Sequence, residues 1–155
     1  MGDLNRPWCL AGGCALDVWR GWQSRKHEDI EIAILRSDWP IIASRLGVNR
    51  HFGAAQGQLV ELLRGNELPS HVNQIWVADQ ADNVWRLEVL LEPGDDETWV
   101  FRRNPEVRRQ RQLMVAQSAD GVAYLKPEGV FLYKAKGSRP KDESDFRGDV
   151  GLMTP

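Results

Sequence analysis

An α+β fold, a mixed sheet flanked by helices, is predicted by three observations. Helix-period apolar spacing stands near the N-terminus, strand-like segments crowd the middle, and one more helix-like stretch follows the last strand. The elements are grouped rather than alternating, which argues against repeated βαβ units. At 155 residues the chain suits a single domain, 1–155, with a modest core.

Taken in order, PWCLA reads as a short buried strand broken by Gly12-Gly13. From Gly13 onward, Ala15, Leu16, Val18, Trp19 and Trp22 recur at helical intervals, with Gly21 near the end. HEDIEIAIL, residues 27–35, is a strand that sends Ile30, Ile32 and Ile34 to the core. SDWPIIASRLG follows as a helix capped by Ser37, with Pro40 in its first turn and Gly47 as a stop. GQLVELL, HVNQIWVAD and VWRLEVLLEP carry strand signals, and DQADN joins the last two as a hairpin-like loop. GVAYL is the last strand. Pro127 then opens the helix PEGVFLYKAK, in a position where proline is favourable, despite Gly129.

Composition excludes several classes. Net charge is -2, which argues against bulk nucleic-acid binding. No apolar run reaches membrane-spanning length, and no basic leader precedes an apolar stretch, so the chain reads as cytoplasmic. Cys9 and Cys14 lack histidines at zinc-like intervals and read as buried free thiols. One basic cluster, Arg102, Arg103, Arg108, Arg109 and Arg111, is either a solvated segment or a patch for an anionic ligand. The 7 tryptophans leave open both a Trp-filled core and a homodimer interface.

The chemistry concentrates around Asp29 and Glu31. Alternate residues of a strand share a face, so these acids project together, with His27 on the same side. Paired carboxylates repel and call for a cation, and a hard divalent ion such as Mg²⁺ takes oxygen ligands from carboxylates and phosphates. Glu88 is a further acid embedded in an apolar strand, where an unpaired carboxylate is costly. If that strand lies beside the first, Glu88 becomes a third carboxylate, and such a trio can hold metal and activate a hydroxyl. Glu92, next to Pro93, reads as a strand-end surface acid. Gly12-Gly13, at a strand end and opening a helix, leaves bare backbone N–H groups for phosphates.

This combination resembles the nucleotidyltransferase superfamily of the DNA polymerase β type. GGCALDVWRGWQSRKHEDIEI is similar, at the same spacing, to the aminoglycoside 2''-adenylyltransferase family and its lincosamide-modifying relatives. RLEVLLEP and KPEGVFLYKAKGSRPKDESDF are similar to later segments of that group, so the resemblance covers most of residues 8–147. It implies a nucleotidyltransferase-like mixed β-sheet flanked by helices. It also implies nucleotide contacts from Gly12, Gly13, Arg25 and His27, metal ligation by Asp29, Glu31 and Glu88, and a general-base role for Glu88. Mg²⁺ or Mn²⁺ and an NTP, ATP foremost, are the implied cofactor and co-substrate. Asp17 matches as well, and orients either Arg25 or the loop. Lys134 and Lys136 read as a solvated helix face.

Two departures stand out. Glu replaces Asp at two acidic positions, Glu31 and Glu88, which relaxes metal geometry and bears on whether activity is retained. The C-terminal helical part is short by comparison with relatives. The expected activity is metal-dependent transfer of an NMP from an NTP to a hydroxyl of a small acceptor, with an aminoglycoside-type antibiotic the acceptor implied by resemblance. The alternatives are a catalytically weak or inactive nucleotide-binding module and a minimal nucleotidyltransferase acting with a partner protein. A polycationic acceptor calls for an acidic cleft. PGDDE and KDESD offer acids for one, while the arginine cluster fits it less well.

Overall fold

β1 (Trp8–Leu10) turns into α1 (Gly12–Arg20) with only Ala11 between them. The computed structural model describes residues 6–47, 49–55, 57–63, 65–137 and 139–153, so the ends of the 1–155 domain lie outside the described residues. The chain continues through β2 (Ile30–Leu35), α2 (Trp39–Arg45), β3 (Arg50–Ala55), β4 (Gln58–Glu61), β5 (Gln74–Ala78) and β6 (Trp85–Glu92). A ribbon of β7 (Thr98–Val100) and β8 (Arg108–Gln110) leads into α3 (Arg111–Met114) and β9 (Val115–Gln117). β10 (Ala123–Leu125), α4 (Pro127–Lys134) and α5 (Pro140–Asp149) complete it.

Eight strands form one mixed sheet in the order β4-β3-β5-β6-β2-β1-β10-β9, and β7 and β8 pair separately. β2 and β6 are parallel neighbours, as are β1 and β10, and the other pairs in the sheet are antiparallel. The expected α+β architecture is therefore present, including the hairpin between β5 and β6.

Two cores lie on the sheet's opposite faces. One packs Ala15 and Leu16 of α1 and Val130 of α4 against Cys9, Ala33, Leu125 and Trp99. The other packs Trp39 and Ile42 of α2 against Ile32, Ile34, Ile75, Val89 and Leu91. Burying each large apolar side chain contributes about 1.5–3 kcal/mol, so both faces of β2 and β6 are held firmly. Gly129 lets α4 approach β10, since a β-carbon there would meet the Leu125 side chain at 2.8 Å.

Several expectations are corrected. β2 starts at Ile30; Glu28 and Asp29 lie in a bend before it, and His27 is in the irregular chain ahead of that bend. Ile30 is half exposed rather than core, whereas Ile32 and Ile34 are buried. α1 stops at Arg20 because Gly21 adopts a left-handed conformation, which leaves Trp22 exposed beyond the helix. Ser37 lies inside a 3₁₀ turn, and α2 begins at Trp39 with Asp38 before it. Cys14 is half-buried, while Cys9 is buried as expected, and both are free thiols. The other six tryptophans are at least partly buried, with Trp39 and Trp99 in the two cores. Among the described residues no helix is long and apolar enough to cross a membrane.

Candidate active site

The β2–β6 register builds the site. Glu31 is the direct partner of Glu88 across this parallel pair, so both side chains rise from the same face of neighbouring strands about 4.8 Å apart. Glu88 is only 6% exposed. Burial, then the nearby charges of Glu31 and Asp29, push its carboxyl up from 4.5 to about 7, although a 2.5 Å hydrogen bond donated by Gln74 Nε2 works the other way.

The glycine turn meets Glu31 directly. Ala11 N–H donates to the Glu31 carbonyl at 2.8 Å, and Gly13 N–H donates to Glu31 Oε2 at 3.2 Å. Gly12 has φ +55°, and a β-carbon on it would fall 1.1 Å from Glu31 Oε2. A β-carbon on Gly13 would meet His27 Cε1 at 2.5 Å. Both glycines are thus required by close approach of the acid and the imidazole.

Asp17 organises the intervening loop. One oxygen accepts hydrogen bonds from the Ser24 backbone and hydroxyl, and the other lies 2.6 Å from His27 Nε2. Burial opposes its charge, but the bonds from Ser24 and His27 outweigh that and hold it below the usual carboxylate range. Asp17 therefore orients His27 and the loop. Arg25 instead reaches Asp145 of α5 at 3.7 Å.

These groups line one cavity of about 560 Å³, which gathers Gly12, Arg25, His27, Asp29, Glu31 and Glu88. Its remaining wall includes Gln74, Trp76, Tyr133, Lys134, Lys136 and Arg139, together with Arg102 and Arg103. Gly13 lies just behind the wall, buried under His27 and Arg25.

Three acids with hard oxygen donors facing one cavity suit Mg²⁺ or Mn²⁺ in donor chemistry. Among the described residues, however, no three His, Cys, Asp or Glu side chains are drawn together closely enough to form a ready-made metal cluster. Glu31 and Glu88 are engaged by Gly13 and Gln74.

Two side-chain expectations fail. Glu92 is not a surface acid. It is 1% exposed, accepts a 2.8 Å bond from Trp99 Nε1, and lies 3.5 Å from Arg111. This buried pair ties the β7–β8 ribbon and α3 to the end of β6. Lys134 is not a solvated face residue either, because α5 covers it: its ammonium donates to Asp142 at 2.7 Å and Asp145 at 2.9 Å. Lys136 is exposed, as expected.

α5 escaped sequence reading because it has no apolar stripe, although Pro140 and the acids Asp142 and Glu143 were legible start signals. It is held instead by ion pairs, in which Arg20 grips Asp149 through two bonds of 2.5 and 2.6 Å. Gln74, Trp76 and Tyr133 carried no sequence signal of a site, since each reads as an ordinary strand or helix residue.

The fold that carries the glycine turn and the Glu31–Glu88 register is shared with solved nucleotidyltransferases. The chain is similar to the lincomycin-bound crystal structure of the lincosamide antibiotic adenylyltransferase LnuA, with TM-score 0.65 and 16% identity over 98% of this chain and 90% of that one. It is also similar to the antibiotic-resistance factor ANT(2'')-Ia in complex with adenylyl-2''-tobramycin, with TM-score 0.58 and 19% identity over 98% and 83% of the two chains. A nucleotidyltransferase-like protein of Thermotoga maritima matches at TM-score 0.53 and 10% identity, over 99% and 87%. No protein-family model matches the chain, and no curated sequence does.

Proposed function

We propose that this protein is a metal-dependent nucleotidyltransferase that moves an NMP from an NTP, ATP foremost, onto a hydroxyl of a small acceptor. The observation that carries the reading is the placement of Glu88 beside Glu31 on adjacent parallel strands, with the Gly12-Gly13 turn directly over Glu31. Antibiotic nucleotidyltransferases of the same fold support it, and make an antibiotic hydroxyl one acceptor to test.

A divalent cation held by Asp29, Glu31 and Glu88 would supply charge neutralisation at the transferring phosphoryl group. The chain's own groups account for the rest. Glu88 takes the proton of the acceptor hydroxyl. The freed oxygen forms its bond to the α-phosphorus as the bond to the β-phosphate oxygen breaks, and pyrophosphate leaves. Arg25 and the backbone at Gly12 and Gly13 meet the triphosphate, and His27, fixed by Asp17, orients beside them.

One observation favours a second reading, a weak or inactive nucleotide-binding module. Gly13 N–H is already bonded to Glu31, so a phosphate must compete with an internal carboxylate for that donor. Calorimetric titration of ATP, GTP, CTP and UTP with Mg²⁺ or Mn²⁺, on wild type and Asp29→Asn, tests the site. Metal-dependent binding lost in the variant supports it, and pyrophosphate release with an acceptor then separates the two readings. A folded wild type that binds no nucleotide overturns both.

A further inference from the structure

We infer that the acceptor is a hydroxyl compound bearing an anionic group rather than a polycation, an inference that rests on the nucleotidyl-transfer reading. The reason lies in which charges the fold leaves unspent around the cavity.

The acids that could have formed a cleft for ammonium groups are used elsewhere. Asp95 accepts the Glu97 and Thr98 N–H groups in the turn before β7, away from the cavity. Glu143 is exposed and paired with Arg147. Asp142 does line the cavity, yet Lys134 and Arg139 neutralise it at 2.7 and 2.8 Å. With Asp29, Glu31 and Glu88 assigned to metal, Glu28 is the one lining carboxylate left among the described residues.

The cations are in the opposite condition. Arg102 and Arg103 occupy the turn at the tip of the β7–β8 ribbon, and that tip is anchored over α4. Phe101 packs edge-on against Tyr133 at 5.2 Å, the Arg103 guanidinium lies 5.7 Å from the same ring, and its Nη1 donates to the Tyr133 carbonyl at 2.6 Å. Among the described residues, no carboxylate lies within ion-pair reach of Arg102, Arg103 or Lys136, although all three line the cavity. Partial desolvation, then the neighbouring Arg102 charge, lowers the Arg103 guanidinium, while Tyr133 acts the other way. A ligand with several ammonium groups would bring like charges together in a partly enclosed space, whereas a phosphate or carboxylate meets lining cations that no carboxylate among the described residues pairs.

The test uses the full chain saturated with Mg²⁺ and a non-hydrolysable ATP analogue, titrated calorimetrically with ribose 5-phosphate and, separately, with tobramycin. Saturable binding of ribose 5-phosphate is expected, weakened about tenfold or more in Arg102→Glu/Arg103→Glu and, independently, in Lys136→Glu. Tobramycin is expected to bind weakly or not at all to wild type. Tobramycin binding tighter than the sugar phosphate overturns the inference, as does absence of sugar-phosphate binding or indifference to both variants. A parallel loss of nucleotide affinity in the variants would mean that Arg102 and Arg103 hold the triphosphate, and also overturns it. Failure of the wild type to bind nucleotide at all is a separate result, which removes the nucleotidyl-transfer reading itself.

Discussion

Glu31 Oε2 occupies the space that a side chain on Gly12 would fill, at 1.1 Å from an ideal β-carbon. The acid and the glycine are therefore one structural unit, although the Gly13 donor and its Glu31 acceptor stand 18 positions apart in the chain.

Gly12→Ala is expected to destabilise the protein by about 2 kcal/mol or more, since it places a β-carbon at φ +55° and also displaces the Glu31 carboxylate. Urea unfolding measures the loss. Nucleotide titration of the folded fraction should show affinity falling with it. A variant as stable as wild type would refute the packing of Glu31 on this turn.

Glu88 makes stability pH-dependent in a direction opposite to most acids. Between 4.5 and about 7 the folded, metal-free chain retains a Glu88 proton that the unfolded chain has released. This contribution is complete below about 4.5 and is lost as pH rises through about 7. Glu88→Gln does not titrate, so its stability relative to wild type should improve across that window, by on the order of 3 kcal/mol at most. Denaturant unfolding in EDTA at pH 5, 6, 7 and 8 reads the trend, and a flat difference would contradict it.

The Arg20–Asp149 pair holds α5 to α1 with side chains 5% and 1% exposed. Asp149→Asn removes the forked partner of a buried guanidinium that keeps Asp17 at 3.1 Å and Asp145 at 3.7 Å, and should cost about 1.5–3 kcal/mol. Arg20→Lys should also destabilise, because an ammonium cannot reproduce the forked contact. Thermal unfolding of the two variants decides this, and a neutral Asp149→Asn would show that α5 is secured by other contacts.

Binding of Mn²⁺ or Mg²⁺ to the acid trio should stabilise the fold by linkage, about 2.7 kcal/mol at a hundredfold excess over Kd. EDTA should reverse the gain and Asp29→Asn should abolish it. A melting temperature that does not respond to either metal, at concentrations up to millimolar, would argue against a cation on these residues.

Much of the site was legible locally. A glycine pair before a helix, two acids one residue apart and a lone acid in an apolar strand are patterns whose cost or use follows from backbone geometry alone. The hairpin between β5 and β6 and the helix opened at Pro127 were readable for the same reason, since turn chemistry and periodicity are local. α5 and the β7–β8 ribbon were not, because neither carries an apolar period. Ion pairs hold α5, and the buried Glu92–Arg111 contact helps to hold the ribbon.

The sequence by itself thus determined the class of fold, the glycine turn and which carboxylates were candidates, since these depend on spacings of a few residues. Tertiary structure alone decided that Glu88 stands in register with Glu31, that Lys134 is covered by α5, and that Arg102 and Arg103 reach the cavity. Those outcomes depend on strand order and on which charges find partners across long chain separations. A charge on its own does not specify whether it will be spent on a neighbour or left for a ligand.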